Sequence, residues 1–435
     1  MHQKYNIFLL LFAILFSNVI CADEYHYNNM LIGNRASGLA GAYVSIADDP
    51  SGLYYNPAGT VYSASTNISA NMNAFQFTRT TYKDALGAGK DWVRTSSGLI
   101  PNFFGITQPL GPGTVGFSYA VTDYALEDQD QIFIDVPGAG NEYTINFNNQ
   151  DTTNNIGPSY AVAIGNDFSI GLTLYGHMRN QQFVLNQLVN FNKTSSTIGS
   201  DIFEWENQYS TTIEYGIRPV LGFMFTPVEK ISLGLSLSQT YLLYSKTTVQ
   251  STKATLICPN GTTLELCPNE QTQLTGPTTV TTNNKRKFPW TVNVGATYFA
   301  SSRLMLTASG WIYESLYTNM QPIINVAGGL EYYLTNRIAV RLGAYTNMAN
   351  TPEIKEGVIA DYGVQGPSYD EHVDIYGATM SFTHFTRSSA ISLGMAGTYG
   401  TGKAHKVQSG EGQSAATQDT TVIGMTFFLS ATNSF

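Results

Sequence analysis

The chain has 435 residues and a formal net charge of −9, and its 12 % charged residues are about half the roughly 25 % usual for soluble domains, while aromatic residues also make up 12 %. The acidic balance argues against a nucleic-acid partner, because phosphate binding needs a basic face. Few charges beside many Tyr and Phe mean a surface that does not face water alone, and the length fits two or three soluble domains or one large β-barrel.

Residues 1–22 read as a cleavable export signal. Lys4 supplies a positive start, residues 7–20 form an apolar core interrupted only by Ser17 and Asn18, and small residues follow at Cys21 and Ala22. The bulky Ile20 disfavours a lipoprotein reading at Cys21. No run of 18 or more apolar residues follows, so the mature chain is expected to have no transmembrane helix. Residues 23–62 contain no strand pattern. Their central stretch, GNRASGLAGAYVSIADDPSGLYYNPAG from Gly33 to Gly59, is rich in small residues and suits one or two short helices packed in a confined space. Pro57 then holds Asn56 extended and ends the helix.

From residue 63 to 435 the period is two. In FSIGLTLYGHM the apolar Phe168, Ile170, Leu172, Leu174 and Met178 alternate with Ser169, Gly171, Thr173 and His177. The same alternation returns at Ile231 to Leu237, Trp290 to Tyr298, Ile338 to Leu342 and Ile391 to Met395. About fourteen such strands are expected, near 66–82, 97–108, 113–126, 154–166, 168–186, 208–227, 230–250, 285–300, 302–318, 321–335, 337–348, 370–385, 387–403 and 416–431. Tight turns near 109–113, 165–167, 226–230, 300–302, 335–336 and 385–387 alternate mostly with long connections, among them 127–153 and 251–284. Short turns on one side and long loops on the other mark an outer-membrane barrel with its short side periplasmic. The expected fold is therefore all-β, a transmembrane antiparallel barrel of about 14 strands with residues 23–62 plugging the lumen, in the outer membrane of a Gram-negative-type bacterium. The last strand ends on Phe435, which resembles the signal read by the barrel-assembly machinery.

Cys258 and Cys267 flank an Asn-Gly turn in an exported chain, which suggests a disulfide stapling a loop; a metal site there lacks a nearby His. Catalytic motifs are missing: there is no Gly-x-Ser-x-Gly, His-Glu-x-x-His or phosphate loop. Neither an enzyme nor a metal or cofactor is expected. Arg341 shares the inward parity of its strand and is read as pairing with a carboxylate such as Glu331, with ligand binding the alternative. Asp48 and Asp49 are read as helix caps or partners of barrel arginines rather than metal ligands. His177 is read as a lumen polar residue rather than a catalyst. Phe103 and Phe104 in LIPNFFGI line a ligand route or belong to an aromatic girdle.

The Gly33 to Gly59 stretch resembles the N-terminal hatch of the FadL family, outer-membrane transporters of long-chain fatty acids and related hydrophobic compounds. The matching residues are Gly33, Arg35, Ala36, Gly41, Ala42, Ala47, Asp48, Asp49, Asn56, Pro57 and Ala58, and the likeness extends over nearly the whole mature chain. The resemblance implies a fourteen-stranded, hatch-gated barrel that passes hydrophobic molecules by diffusion, through a lateral gap at a kink in the third strand. In this chain the kink falls near Thr122 and Asp123 or is absent, with Gly116 a further candidate. The family's head-group arginine on strand five maps to Arg179, and its strand-ten lysine position holds Gln321, which leaves room for a neutral ligand. The expected partners are a hydrophobic small molecule, outer-membrane lipid and the assembly machinery, and the expected state is a monomer. The alternative reading is an adhesin or receptor barrel that acts through its long loops.

Overall fold

The computed structural model describes residues 25–63, 65–136, 140–190, 201–257, 271–316, 320–354, 371–405 and 417–435. The export signal and the Cys258/Cys267 pair lie outside the described residues. The strands are β1 (Asn67–Tyr82), β2 (Trp92–Leu110), β3 (Gly113–Val136), β4 (Gly140–Ile164), β5 (Phe168–Asn190) and β6 (Asp201–Val228), then β7 in two segments (Ile231–Ser238, Tyr241–Ile257) and β8 in two segments (Gln271–Thr282, Thr291–Phe299). They continue as β9 (Leu304–Tyr313), β10 (Ile323–Thr335), β11 (Ile338–Asn347), β12 (Glu371–Phe385), β13 (Ser389–Ala404) and β14 (Gln418–Ser434). Each pairs antiparallel with its neighbours, and β1 closes on β14 from Asn67 opposite Ser434 to Tyr82 opposite Thr420. The result is a closed barrel of fourteen strands.

The period-two pattern maps onto the two faces of this wall. Leu172, Leu174, Leu233, Val294, Leu306, Val326, Leu393 and Leu429 point outward and are exposed, whereas Ser169, Thr173, Ser232, Thr297, Thr307, Asn325, Ser392 and Ser430 point inward and are buried. An apolar outside around a polar inside is stable only where the outer band meets lipid.

Two expectations need correcting. The stretches 127–153 and 251–284 were expected to be loops, yet β3 runs to Val136 and β4 begins at Gly140, with Val136 opposite Gly140 in register, and β7 and β8 extend likewise to Ile257 and from Gln271. Beyond the apolar band the outer face meets no lipid and the alternation reverses on β4, with Tyr143, Ile145 and Phe147 turned inward between Glu142, Thr144, Asn146 and Asn148, while the backbone ladder continues. At this end of the barrel Trp92, Phe147 and Phe183 pack edge to face inside the wall, at 5.8 and 5.5 Å between ring centres. The second correction concerns β8, whose second segment was expected from 285 but starts at Thr291. Pro289 has no N–H to give a ladder, and Arg286 and Phe288 turn into the lumen.

Residues 25–63 lie inside the barrel as two short helices, α1 (Asn34–Gly38) and α2 (Gly52–Tyr55), and a 3-10 helix (Pro57–Tyr62). Wall glycines make the room. A Cβ on Gly234 would stand 2.2 Å from the Val44 carbonyl oxygen, one on Gly222 2.1 Å from Asn56 Oδ1, and one on Gly171 2.6 Å from the Ala58 nitrogen. Gly33 itself has φ 85° and no space for a side chain against Ser51.

Candidate functional site

The motif residues of the N-terminal segment are its attachments to the wall. Arg35 donates from Nε and Nη2 to both oxygens of Glu331 on β10 (2.9 and 2.8 Å) and from Nη1 to both oxygens of Asp48 (2.8 Å each). Glu331, wholly buried, also accepts from Arg341 Nε at 2.5 Å, so one carboxylate joins two guanidinium groups. Asn56 donates to the carbonyl oxygens of Val44 (2.7 Å) and of Phe223 on β6 (2.9 Å), and its Oδ1 accepts from the Ala58 nitrogen. Pro57 starts the 3-10 helix and the Ala58 carbonyl accepts from Ser169 of β5 at 2.8 Å. Asp49 turns back on Ser51, accepting from its nitrogen at 2.8 Å, and burial raises its pKa above the ordinary carboxylate value. Gly41, at φ 81°, lies against Trp311.

Beside this segment lies a luminal cavity of about 280 Å³, where Met30, Leu31, Tyr54, Tyr55, Trp311, Tyr313, Tyr345 and Phe288 share the lining with about as many polar and charged side chains, among them Asn28, Asp123, Asn155, His177, Arg218 and Lys287. Their charges decide what it can hold. Arg179 is neutralised: it donates to Asp151 (Nε to its oxygens at 3.1 and 3.0 Å, Nη2 at 2.5 Å) and lies 3.6 Å from Glu214. Arg286, in the segment between the two halves of β8, donates from Nε to Glu214 at 3.0 Å and stacks over Phe288 with its guanidinium carbon 4.4 Å from the ring centre. Arg218 on β6 differs. Its guanidinium lies 4.8 Å from the Tyr54 ring centre, opposite Tyr175 in the ladder, and it has no carboxylate partner among the described residues. Arg218 thus stands among tyrosines in a cavity of mixed polarity that Asp123, Arg286 and Lys287 also line. His177 is another of its polar groups: Nδ1 faces Asn155 Oδ1 at 3.2 Å, while buried Nε2 has no hydrogen-bond partner among the described residues.

The wall beside the cavity is interrupted. Between β2 and β3 the ladder runs from Leu110 opposite Gly113 to Phe103 opposite Ala120, then stops for residues 97–102 and 121–126 before Ser96 opposite Glu127. On its other side β3 bulges at Thr122, where the register with β4 slips between Val121 and Asp123. Higher up, Gln129 spans the two strands by accepting from the Thr95 nitrogen (2.8 Å) and donating to its carbonyl oxygen (3.0 Å), so a side chain replaces backbone pairing. Thr122 and Asp123 both line the cavity.

The structure thus brings His177, Thr122 and Asp123 to one cavity and leaves other candidates out of it. Arg179 is occupied by carboxylates. Arg341 belongs to the Arg35 and Glu331 cluster. Gln321 is exposed just before β10, its backbone nitrogen bonded to the Asn350 carbonyl. Gly116 sits within the intact part of the β2–β3 ladder, where Leu53 fills the space over it. Phe103 points inward and is buried while Phe104 points outward, so one packs inside the wall and the other joins the outer face. Arg218 was missed, although it shares the inward parity of Glu214, Gly216 and Val220. Among the described residues no group of His, Cys, Asp or Glu is placed to hold a metal ion.

A closed fourteen-stranded barrel with an apolar outer band is the architecture of a multi-pass outer-membrane protein. Comparison with solved structures agrees. The fold is similar to that of a Pseudomonas aeruginosa FadL homologue (13 % identity, 94 % of this chain and 100 % of that chain, TM-score 0.61). It is similar also to the P. putida toluene transporter TodX (10 % identity, 94 % and 99 %, TM-score 0.61) and the Ralstonia pickettii toluene transporter TbuX (11 % identity, 94 % and 99 %, TM-score 0.57). The chain therefore has the FadL-type fold. No protein-family model matches the sequence, and no curated protein does.

Proposed function

We propose that this protein is an outer-membrane uptake channel for hydrophobic molecules with an anionic head group, long-chain fatty acids foremost, working by passive diffusion without a cofactor or catalysis. Residues 23–62 act as its hatch. The carrying observation is the luminal cavity, in which Tyr54, Tyr55, Trp311, Tyr313, Tyr345 and Phe288 supply aromatic surface near Arg218, which lacks a carboxylate partner among the described residues. Burial of an acyl chain there contributes about 0.8 kcal/mol per methylene, and a charged hydrogen bond to the head group about 1.5–3 kcal/mol. The unpaired stretch at Thr122 and Asp123 supports a lateral route into the bilayer, which spares the acyl chain a passage through water. The neighbours named as toluene transporters share the fold, and the cation at Arg218 is what favours a carboxylate over a neutral hydrocarbon here. The receptor alternative draws on the projecting β3–β4 and β5–β6 hairpins, but it gives the cavity no role.

Native mass spectrometry of the detergent-solubilised protein with palmitate and toluene tests this. Palmitate should be retained, and Arg218→Gln should weaken that retention by roughly 10- to 150-fold, the ratio equivalent to the charged hydrogen bond. Toluene binding indifferent to Arg218→Gln, with no palmitate retained, would move the reading to neutral substrates. Binding of neither would favour the receptor.

A further inference from the structure

The wall has a second long interruption, five strands further round. The ladder between β7 and β8 holds from Ile231 opposite Tyr298 to Ser238 opposite Thr291, stops, and resumes at Thr247 opposite Thr282. Residues 239–246 and 283–290 are left without backbone pairing across it. Paired numbers on both sides of the break have the same sum, so the register has not slipped; the strands have parted. The break begins after eight ladder pairs counted from the short-turn end of the barrel, as does the one between β2 and β3. Eight residues at about 3.3 Å each on strands tilted by about 40° rise about 20 Å, which places both lower lips in the outer part of an apolar band about 25 Å tall.

The parted strands separate two spaces. Outside lies a recess of about 550 Å³ formed by Leu243, Tyr244, Lys246, Thr281, Asn283 and Lys285. Inside lies the luminal cavity, lined by Gln239, Thr240, Lys287, Phe288 and Pro289 of the same two stretches. The stretch 283–290 contributes to both and is folded inward: Arg286 is held on Glu214, Phe288 lies 5.5 Å from His177, and Gln239 Nε2 donates to the Phe288 carbonyl at 3.1 Å. Leu243 and Tyr244 expose apolar surface at the rim, and Lys246 and Lys285 have no carboxylate partner among the described residues.

We propose that the β7–β8 break is a second lateral port, through which a single-chain carboxylate amphiphile passes between the outer leaflet and the lumen. The acyl chain lies on Leu243 and Tyr244, the carboxylate meets Lys246 and Lys285, and residues 283–290 form the flap, latched by Arg286 on Glu214. This rests on the transport reading above and adds a route and a capture site to it.

The test uses the full chain in lipid nanodiscs with a photoreactive C16 carboxylate and the matching C16 alcohol. Cross-links are expected on residues 241–246 and 281–290 as well as on luminal residues. Lys246→Glu/Lys285→Glu should remove the wall cross-links at least tenfold and slow carboxylate uptake, with alcohol uptake unchanged. Luminal cross-links without wall cross-links, or carboxylate uptake untouched by charge reversal, would overturn the port and leave the transport reading standing. Wall labelling competed by a phosphate-headed lipid but not by unlabelled C16 carboxylate would also overturn it. Absence of both uptake and luminal cross-links in the unaltered protein would instead defeat the transport reading.

Discussion

Replacing Arg35 by Met removes the cation that ties the N-terminal segment, the proposed hatch, to the wall and leaves every backbone ladder of the barrel in place. Taking one partner from a buried ion pair costs about 3–5 kcal/mol when the other is stranded. Glu331 is not stranded, because Arg341 still donates to it at 2.5 Å, and the Asp48 side chain, 39 % exposed, recovers water and contributes at most about 1 kcal/mol. The net loss of hatch attachment should be about 2–3 kcal/mol, a shift of roughly 30- to 150-fold in the docked-to-released ratio. Two assays read it. Proteolysis of the N-terminal segment should quicken by that factor where opening precedes cleavage, and conductance in planar bilayers should rise in long-lived steps as the lumen is vacated. Pairing Arg35→Met with Glu331→Gln should show strong coupling, and pairing it with Asp48→Asn coupling below about 1 kcal/mol. Proteolysis and conductance within twofold of the parent would refute the attachment of the hatch through Arg35.

Asn56→Ala leaves the Val44 and Phe223 carbonyls without its amide, costs about 1–3 kcal/mol, and should speed proteolysis of the hatch without altering the barrel's resistance to SDS. Gly234→Val drives a side chain into the Val44 carbonyl and should displace the strip that bonds Ser45 to Thr297 and Ser232, an overpacking of about 1–3 kcal/mol visible as higher conductance. Asp49→Asn tests burial of a carboxyl. A raised pKa means that the docked hatch holds the proton more tightly than the released one, so its attachment weakens as pH rises from the ordinary carboxylate value through the raised one. The amide should dock more firmly than the parent at pH 7 and equally in strong acid, and a difference that stays constant with pH would contradict this.

The candidate site was legible wherever a strand's parity decides it. His177 and Arg179 follow Ser169 and Thr173 onto the inner face because successive side chains point to opposite faces. What parity cannot show is which inward charges neutralise one another. Arg179 meets Asp151 across β4–β5 and Arg218 meets Tyr175 across β5–β6, so two arginines of equal standing in the sequence end as one spent and one available.

By itself the sequence determined the architecture: alternation of apolar and polar residues specifies strands with one face for lipid, short turns specify antiparallel neighbours, and the small residues from Gly33 to Gly59 specify a compact segment able to fit inside them. The resemblance pointed to Thr122 and Asp123, but only the tertiary structure shows which stretches of wall go without ladder pairing. The breaks at 97–102 and 121–126, and at 239–246 and 283–290, carry the same kinds of residues as paired strands. Each unpaired stretch stands beside a side-chain bond that the sequence does not announce, Asn155 to Thr122 and Arg286 to Glu214, and a backbone ladder forms only where both strands keep to the wall.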